Sequence, residues 1–506
     1  MRNTADVTNL RSWHDNWSGL RVAVLGLGMT GFAAADTLAE LGAKCLVLAD
    51  SADSRTAEVL EVIGVPVVLT GQVPSAVAKL EAFAPELVVV SPGFRPTHPL
   101  VVWASEHGVP VWGDIELAWR LRDKVGTAAE WIAVTGTNGK TTTVQLVAAM
   151  LAADGRRVIA CGNVGVPVLD AIRDPSGFEI LVVELSSFQL HYADSISAHS
   201  SVCLNLADDH LDWHGSADAY RAAKAKVYQA TRVACVFNQQ DSATRAMVEE
   251  ADVVDGCRAI GFTLGVPGLS DLGVVDGILV DRAFLGDRHH SALELVTSAE
   301  LGGVGLGSPH MTANVLAASA LARSVGVAPE TIRRALRAFR LDQHRTELVA
   351  TSGDVRWFND SKATNPHAAA AALVSFESIV WIVGGLFKGV DVDELVSAQV
   401  SRLRAAVVIG NDRQPLLEAF ARHAPELPVF EVISTDTNEV MPTAVRLSAA
   451  AAQGGDVVLL APAAASMDQF TNYADRGNRF TAAVHELLGD LPDDNQPSAL
   501  PPTPGA

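Results

Sequence analysis

Short apolar runs recur along the chain, and most stop at a glycine or polar cluster before a longer stretch with apolar residues at helical spacing. RVAVL from Arg21 runs into GLGMTG, then a helix-like segment, then a second apolar run ending at Asp50, the pattern of a strand–helix–strand unit. VPVVL at 65–69 and LVVVS at 87–91 continue the alternation, and SPGFRPTHP at 91–99 reads as a loop after a strand. A second block begins near Gly126. There WIAVTG predicts a buried strand, TTTVQLVAAMLAADG the helix behind it, and RVIACG, EILVVEL and HSSVCLNL further strands. The glycine-rich, weakly periodic segment from about 255 to 308 yields no assignment, and HMTANVLAASALARSVG after it predicts an amphipathic helix. A third block from about Leu341 repeats the alternation with VRWFND, SIVWIVGG, AAVVIG and VVLLAPA. Three such blocks predict an α/β protein built on mostly parallel sheets.

Composition narrows this only slightly. A chain of 506 residues exceeds what one core fills, and 49% hydrophobic residues suffice for several domains. The net charge of -20 argues against a nucleic-acid or anionic-membrane surface, so an anionic ligand must be held locally. Five cysteines, widely spaced and without a Cys-x-x-Cys pair, suit a reducing compartment and read as small core residues. The polar N-terminus is no signal peptide and no 18-residue apolar stretch occurs, so a cytoplasmic protein without membrane insertion is expected. The Pro- and Asp-rich tail at 488–506 is expected to be disordered.

Candidate chemistry starts at residues 133–143, AVTGTNGKTTT. Gly136, Thr137, Asn138, Gly139, Lys140 and Thr141 supply the parts of a phosphate loop between a strand and a helix, although Val134 stands where the Walker pattern has its first glycine. Glu184 of ELSSFQ lies at the C-terminal end of a strand, the usual ligand edge of an open α/β sheet. NLADDHLDWH at 205–214 has a metal-like density of Asp and His. His210 and His214 have zinc-pair spacing, but Leu211 replaces the catalytic Glu of such a protease; oxygen ligands beside a phosphate loop fit magnesium instead. By residue type alone, YRAAKAK at 220–226 is a solvated basic helix face, and GLGMTG with Asp50 is a dinucleotide fingerprint.

The shortened GTNGKT loop resembles that of the Mur ligases and their folate-adding relatives, ATP-dependent amide-bond ligases. With it stand GLGMTG at 26–31, CGNVG at 161–165, ELSSFQ at 184–189, Asp209-His210, YRAAK at 220–224, His344-Arg345, NDSKATN at 359–365 and APAAASMDQF at 461–470. The ordered set spans about 20 to 487, and its last two blocks resemble the D-glutamate-adding members rather than those adding L-alanine or a diamino acid. The resemblance implies a Rossmann-like N-terminal domain at 1–125, a P-loop ATPase domain at 126–340 and a Rossmann-like C-terminal domain at 341–487. It implies that ATP activates the carboxylate of UDP-N-acetylmuramoyl-L-alanine as an acyl phosphate, which the amine of D-glutamate attacks.

For ATP it implies Gly136 to Lys140, Thr141, Thr142, Asn314, His344, Arg345, Asp360 and Lys362; for two magnesium ions, Thr141, Glu184, His210 and Lys224, the last as its carbamate. Thr30, Asp50, Ser91 and Gly93 are implied at the UDP end, Asn163, Ser186 and Gln189 at the muramoyl-alanine end, and Thr364, Lys388, Ser466 and Phe470 around D-glutamate. Lys140, His210, Lys224, Arg345 and Lys362 would act on the reacting groups, in a monomer. Ala52 stands where the family often has Arg, and GGLFK at 384–388 lacks the acidic residue common before the lysine. The rival from another class is a nicotinamide-dependent dehydrogenase built on the first block, against which the phosphate loop and acidic cluster stand.

Overall fold

Three sheets carry the fold in the computed structural model, which describes residues 7–51, 54–71, 73–340, 344–387, 390–434 and 436–489. The disorder expected for 488–506 therefore lies, from residue 490 on, outside the described residues, as do Ala52 and Lys388. The first sheet is wholly parallel, in the order Val67–Leu69, Lys44–Ala49, Arg21–Leu25, Leu87–Val90, Val111–Gly113. Strand order reverses at Arg21–Leu25, so the crevice beyond its C-terminal end is a topological switch point, where α/β sheets take ligands. The GLGMTG turn sits at that edge. A Cβ on Gly31 would lie 2.2 Å from the Gly26 carbonyl oxygen, and Gly26 has φ +95° with Ser91 Oγ 2.7 Å from where its Cβ would be.

The second sheet has nine strands, parallel from Val158–Gly162 through Ile180–Glu184, Glu130–Thr135, Ser200–Cys203, Ala234–Asn238 and Arg258–Phe262 to Asp271–Val275. Its far edge is antiparallel, through Ile278–Asp281 and Leu293–Thr297. These last strands occupy the segment that periodicity left unassigned. Helix Pro309–Ser324 is not amphipathic. Every residue but Pro309 is at least partly covered, because it is wedged between helices Lys140–Ala153 and Pro329–Ala338 and the sheet.

The chain divides into two compact units, 1–340 and 341–506. In the first, one apolar core runs without a break from Val22 and Val24 through Leu117 and Trp131 to Leu181 and Cys203, joining the faces of two sheets. Buried polar links reinforce the junction. Glu116 accepts the backbone N–H groups of Asp194 and Ser195 at 2.8 and 2.9 Å, and Gln189 Nε2 donates to Asp114 at 3.0 Å. The second unit holds six strands, ordered Glu347–Ser352, Val355–Asn359, Val457–Leu460, Ile379–Gly384, Leu403–Ile409, Val429–Glu431 and parallel except for the first pair. Four cysteines are buried and Cys257 partly so, none in a disulfide. Among the described residues no helix is long and apolar enough to cross a membrane.

Candidate active site

Strand register brings the candidate groups of the first unit together. Val134 pairs with Glu184 on one side and Thr135 with Cys203 on the other, so the 136–140 loop leaves its strand between Glu184 and the 205–210 segment. Thr137 N donates to Asn205 O at 3.0 Å, Asn138 N to Asn205 Oδ1 at 2.9 Å, and Asn205 Nδ2 back to Asn138 O at 3.1 Å. Gly139, at φ +83°, leaves room for Asn314, whose Oδ1 lies 2.4 Å from the position of a Cβ there. Left-handed Gly139 then starts helix Lys140–Ala153, whose first-turn amides and dipole favour an anion. Thr141 and Thr142 are buried in that turn, and Thr142 Oγ1 has no hydrogen-bond partner among the described residues.

Two lysines converge on one carbonyl. Lys140 Nζ donates to Gly136 O at 2.8 Å and Thr137 O at 2.9 Å, and Lys224 Nζ donates to Gly136 O at 2.8 Å. Lys224 is only 2% exposed. Burial, and then the Lys140 charge, bring its ammonium down to about 7, which makes its neutral amine accessible near neutral pH. The helix face read as solvated is thus turned inward, with Tyr220 bonding Thr137 at 3.0 Å.

Glu184 is buried with one carboxylate oxygen accepting from Asn163 Nδ2 at 2.9 Å and the other, Oε2, without a partner among the described residues. A buried acceptor left unmade costs about 1–3 kcal/mol, more for a charge, so this oxygen is suited to holding a cation. His210 has φ +54°, an uncommon conformation for a non-glycine residue, and its ring packs 4.7 Å from that of Phe188. The acidic and histidine density around it disperses in space. Asp212 pairs with Arg95 at 2.8 Å, His214 bonds Ser187 at 2.9 Å, and among the described residues no three His, Cys, Asp or Glu side chains gather into a metal-binding group.

At the first sheet's edge, Thr30 lies in the first turn of helix Met29–Glu40, Asp50 accepts from Thr70, Ser91 Oγ is buried without a partner among the described residues, and Gly93 is open. Ser186 and Gln189 form a capping box, and the rest of the Gln189 amide goes to Asp114. Asn163 meets Glu184.

In the second unit, His344 (φ +66°) receives Asn359 Nδ2 on its Nδ1 at 2.8 Å. Burial pushes the Asp360 carboxyl up to about 6 against the pull of the Thr346 amide and Arg345. Lys362 Nζ stands 3.8 Å over the Tyr473 ring. Thr364 is partly buried, Ser466 is buried, and Phe470 contributes its ring to the core. Sequence reasoning gave no separate part to Asn205, Asn359 or Arg476. Asn205 and Asn359 open NLADDHLDWH and NDSKATN, each at the end of an apolar run, and that position was their signal.

Domain models of the Mur ligases match the chain in order: the MurD-like N-terminal domain at 20–113, the middle domain at 134–266 and the glutamate ligase domain at 344–464. A UDP-N-acetylmuramoylalanine–D-glutamate ligase of Leifsonia xyli is 61% identical over 98% of both chains. One of Streptomyces avermitilis is 52% identical over 93% of this chain and 99% of its own. In fold, the chain is similar to a pseudomurein peptide ligase type C from Methanothermus fervidus, with TM-score 0.56 and 14% identity over 93% of this chain and 100% of that one. It is also similar to a UDP-N-acetylmuramate–alanine ligase from Thermotoga maritima, with TM-score 0.54 and 19% identity over 92% and 100%.

Proposed function

The chain belongs to the Mur ligase family, and on that footing we propose that it joins D-glutamate to UDP-N-acetylmuramoyl-L-alanine in peptidoglycan precursor synthesis, with ATP converted to ADP and phosphate. The observation that carries this reading is the likeness, over nearly the whole chain, to UDP-N-acetylmuramoylalanine–D-glutamate ligases. We place the division of labour at 1–125 for the UDP-substrate, 126–340 for ATP, and 341–487 for ATP and the amino acid, in a cytoplasmic monomer.

The substrate carboxylate attacks the γ-phosphorus of ATP and ADP leaves. The D-glutamate amine then attacks the acyl carbon, and phosphate departs from the tetrahedral intermediate. Negative charge grows on phosphoryl and then carbonyl oxygens, where Lys140 and the loop amides offset it. Arg345 and Lys362 add positive charge on the phosphate side, and Asn314, His344 and Asp360 hold the adenosine. Thr30, Asp50, Ser91 and Gly93 receive the uridine; Asn163, Ser186 and Gln189 the muramoyl-alanine; Thr364, Lys388, Ser466 and Phe470 the D-glutamate.

Thr141, Glu184, His210 and Lys224 would hold two magnesium ions, whose chemistry is to neutralise phosphate charge. The orphaned Glu184 oxygen supports this. As an ammonium Lys224 would repel such ions; as a carbamate, formed from its neutral amine and carbon dioxide, it would offer oxygen ligands.

The acyl phosphate is tested by labelling the substrate carboxylate with oxygen-18. One labelled oxygen is expected in the released phosphate, since the carbon–oxygen bond to the phosphoryl group breaks when the amine attacks. Unlabelled phosphate would exclude the intermediate.

A further inference from the structure

Arg476 is fully buried, and among the described residues no carboxylate bonds its guanidinium. It lies in the first turn of helix Tyr473–Leu488 and donates three ways: Nε to Ser361 Oγ at 3.0 Å, Nη2 to Ser361 O at 2.9 Å, and Nη1 to Ala464 O at 3.1 Å. Burial lowers its affinity for the proton to about 9, with Asp468 opposing. Burying a guanidinium without a carboxylate is costly, and its three hydrogen bonds to Ser361 and Ala464 offset that cost only while both loops stay in place. Its acceptors lie in two loops. Ser361 directly precedes Lys362, and Ala464 stands two residues before Ser466, next to Ala463 at φ +60°.

The neighbour in the same turn has a matching role. A Cβ on Gly477 would lie 2.4 Å from His344 Nδ1, and the Gly477 carbonyl accepts from Asn359 Nδ2 at 3.0 Å. One helical turn thus touches the 344–346 corner, the 359–365 loop and the 461–466 loop.

We propose that Arg476, with Gly477 beside it, is the positioning residue that fixes the 359–365 and 461–466 loops relative to each other, and so sets the geometry of the amino-acid subsite. Its guanidinium hydrogen bonds go to Ser361 and Ala464, so it acts through those loops. The inference rests on the assignment of Lys362, Thr364 and Ser466 to the reaction, and it adds the device that holds them.

The test is Arg476→Lys, which keeps the charge but not the planar fork, and Arg476→Ala with and without added guanidinium ion. In Arg476→Lys, kcat/KM for D-glutamate should fall about 10²-fold, the size expected for a misplacement of about 1 Å. Affinity for UDP-N-acetylmuramoyl-L-alanine should be unchanged, and amide hydrogen exchange should quicken at 361–366 and 463–466. Guanidinium should restore part of the Arg476→Ala activity. Wild-type kinetics in Arg476→Lys, unchanged exchange in both loops, or an equal loss of UDP-substrate affinity would each overturn the proposal. A wild-type enzyme that ligates no amino acid would instead fell the ligase reading, and the exchange measurement would still decide what Arg476 holds.

Discussion

Replacing Lys140 with alanine is expected to lower ligation by about 10³-fold or more while leaving the affinity for UDP-N-acetylmuramoyl-L-alanine essentially unchanged. Its ammonium closes over the Gly136 and Thr137 carbonyls at the mouth of the loop, where no other side chain of the 136–142 segment carries charge. A positive group against a transferring phosphoryl is worth this much because the charge it meets is larger in the transition state than in ATP. The uridine residues proposed here lie on a different sheet, at the Arg21–Leu25 switch point, and do not depend on it. Phosphate-release kinetics and calorimetric titration of the UDP-substrate check the two halves separately. Comparable turnover by the variant would remove the loop from the chemistry.

The second large effect is at Lys224. Alanine there should abolish most of the activity, and acetate or another short carboxylate added to the assay should recover part of it. The side chain is buried against Gly136 O, so its removal should leave room beside the loop for a small carboxylate. A carbamate presents two oxygens, and so does acetate; an ammonium presents none. Recovery by acetate and not by methylamine supports the carbamate. A fully active Lys224→Ala would take this lysine out of the mechanism, and rescue by methylamine alone would assign it a cationic role.

Where an apolar run ends in a glycine, the strand was legible in the sequence, as at RVAVL, WIAVTG and SIVWIVGG, because burial on both faces of a parallel sheet leaves no polar position to blur it. The edge at 258–297, parallel and then antiparallel, was less legible: its strands have only four or five residues and are buried in short patches rather than alternately, so no period dominates. One signal was there to be used. Asp276-Gly277 between VV and IL is a hairpin turn dipeptide, and both residues have positive φ, +50° and +75°. Helix Pro309–Ser324 misled because its Ala, Ser, Thr and Asn residues look semi-polar yet are small enough to be packed on every side.

At the site, local order was readable and spatial order was not. The phosphate loop is contiguous, and so was found from spacing. The Asp and His density at 205–214 was also contiguous, but its members face different partners, among them Arg95 from the first sheet's loop. Lys224 and Arg476 both sit on helices where a cation ordinarily faces water. Helical spacing does put each on its helix's buried face, Lys224 with Tyr220 and Arg476 with Phe480, Ala483 and Val484, but the acceptors that hold them, at 136 for the one and at 361 and 464 for the other, cannot be read from that spacing.

The central claim is best tested by phosphate release from ATP in the presence of UDP-N-acetylmuramoyl-L-alanine, with D-glutamate, L-glutamate, L-alanine or diaminopimelate as the amine. Release is expected with D-glutamate alone, accompanied by an equimolar amide product by mass spectrometry. Release driven equally by another of these amines, or none with D-glutamate, would contradict the assignment.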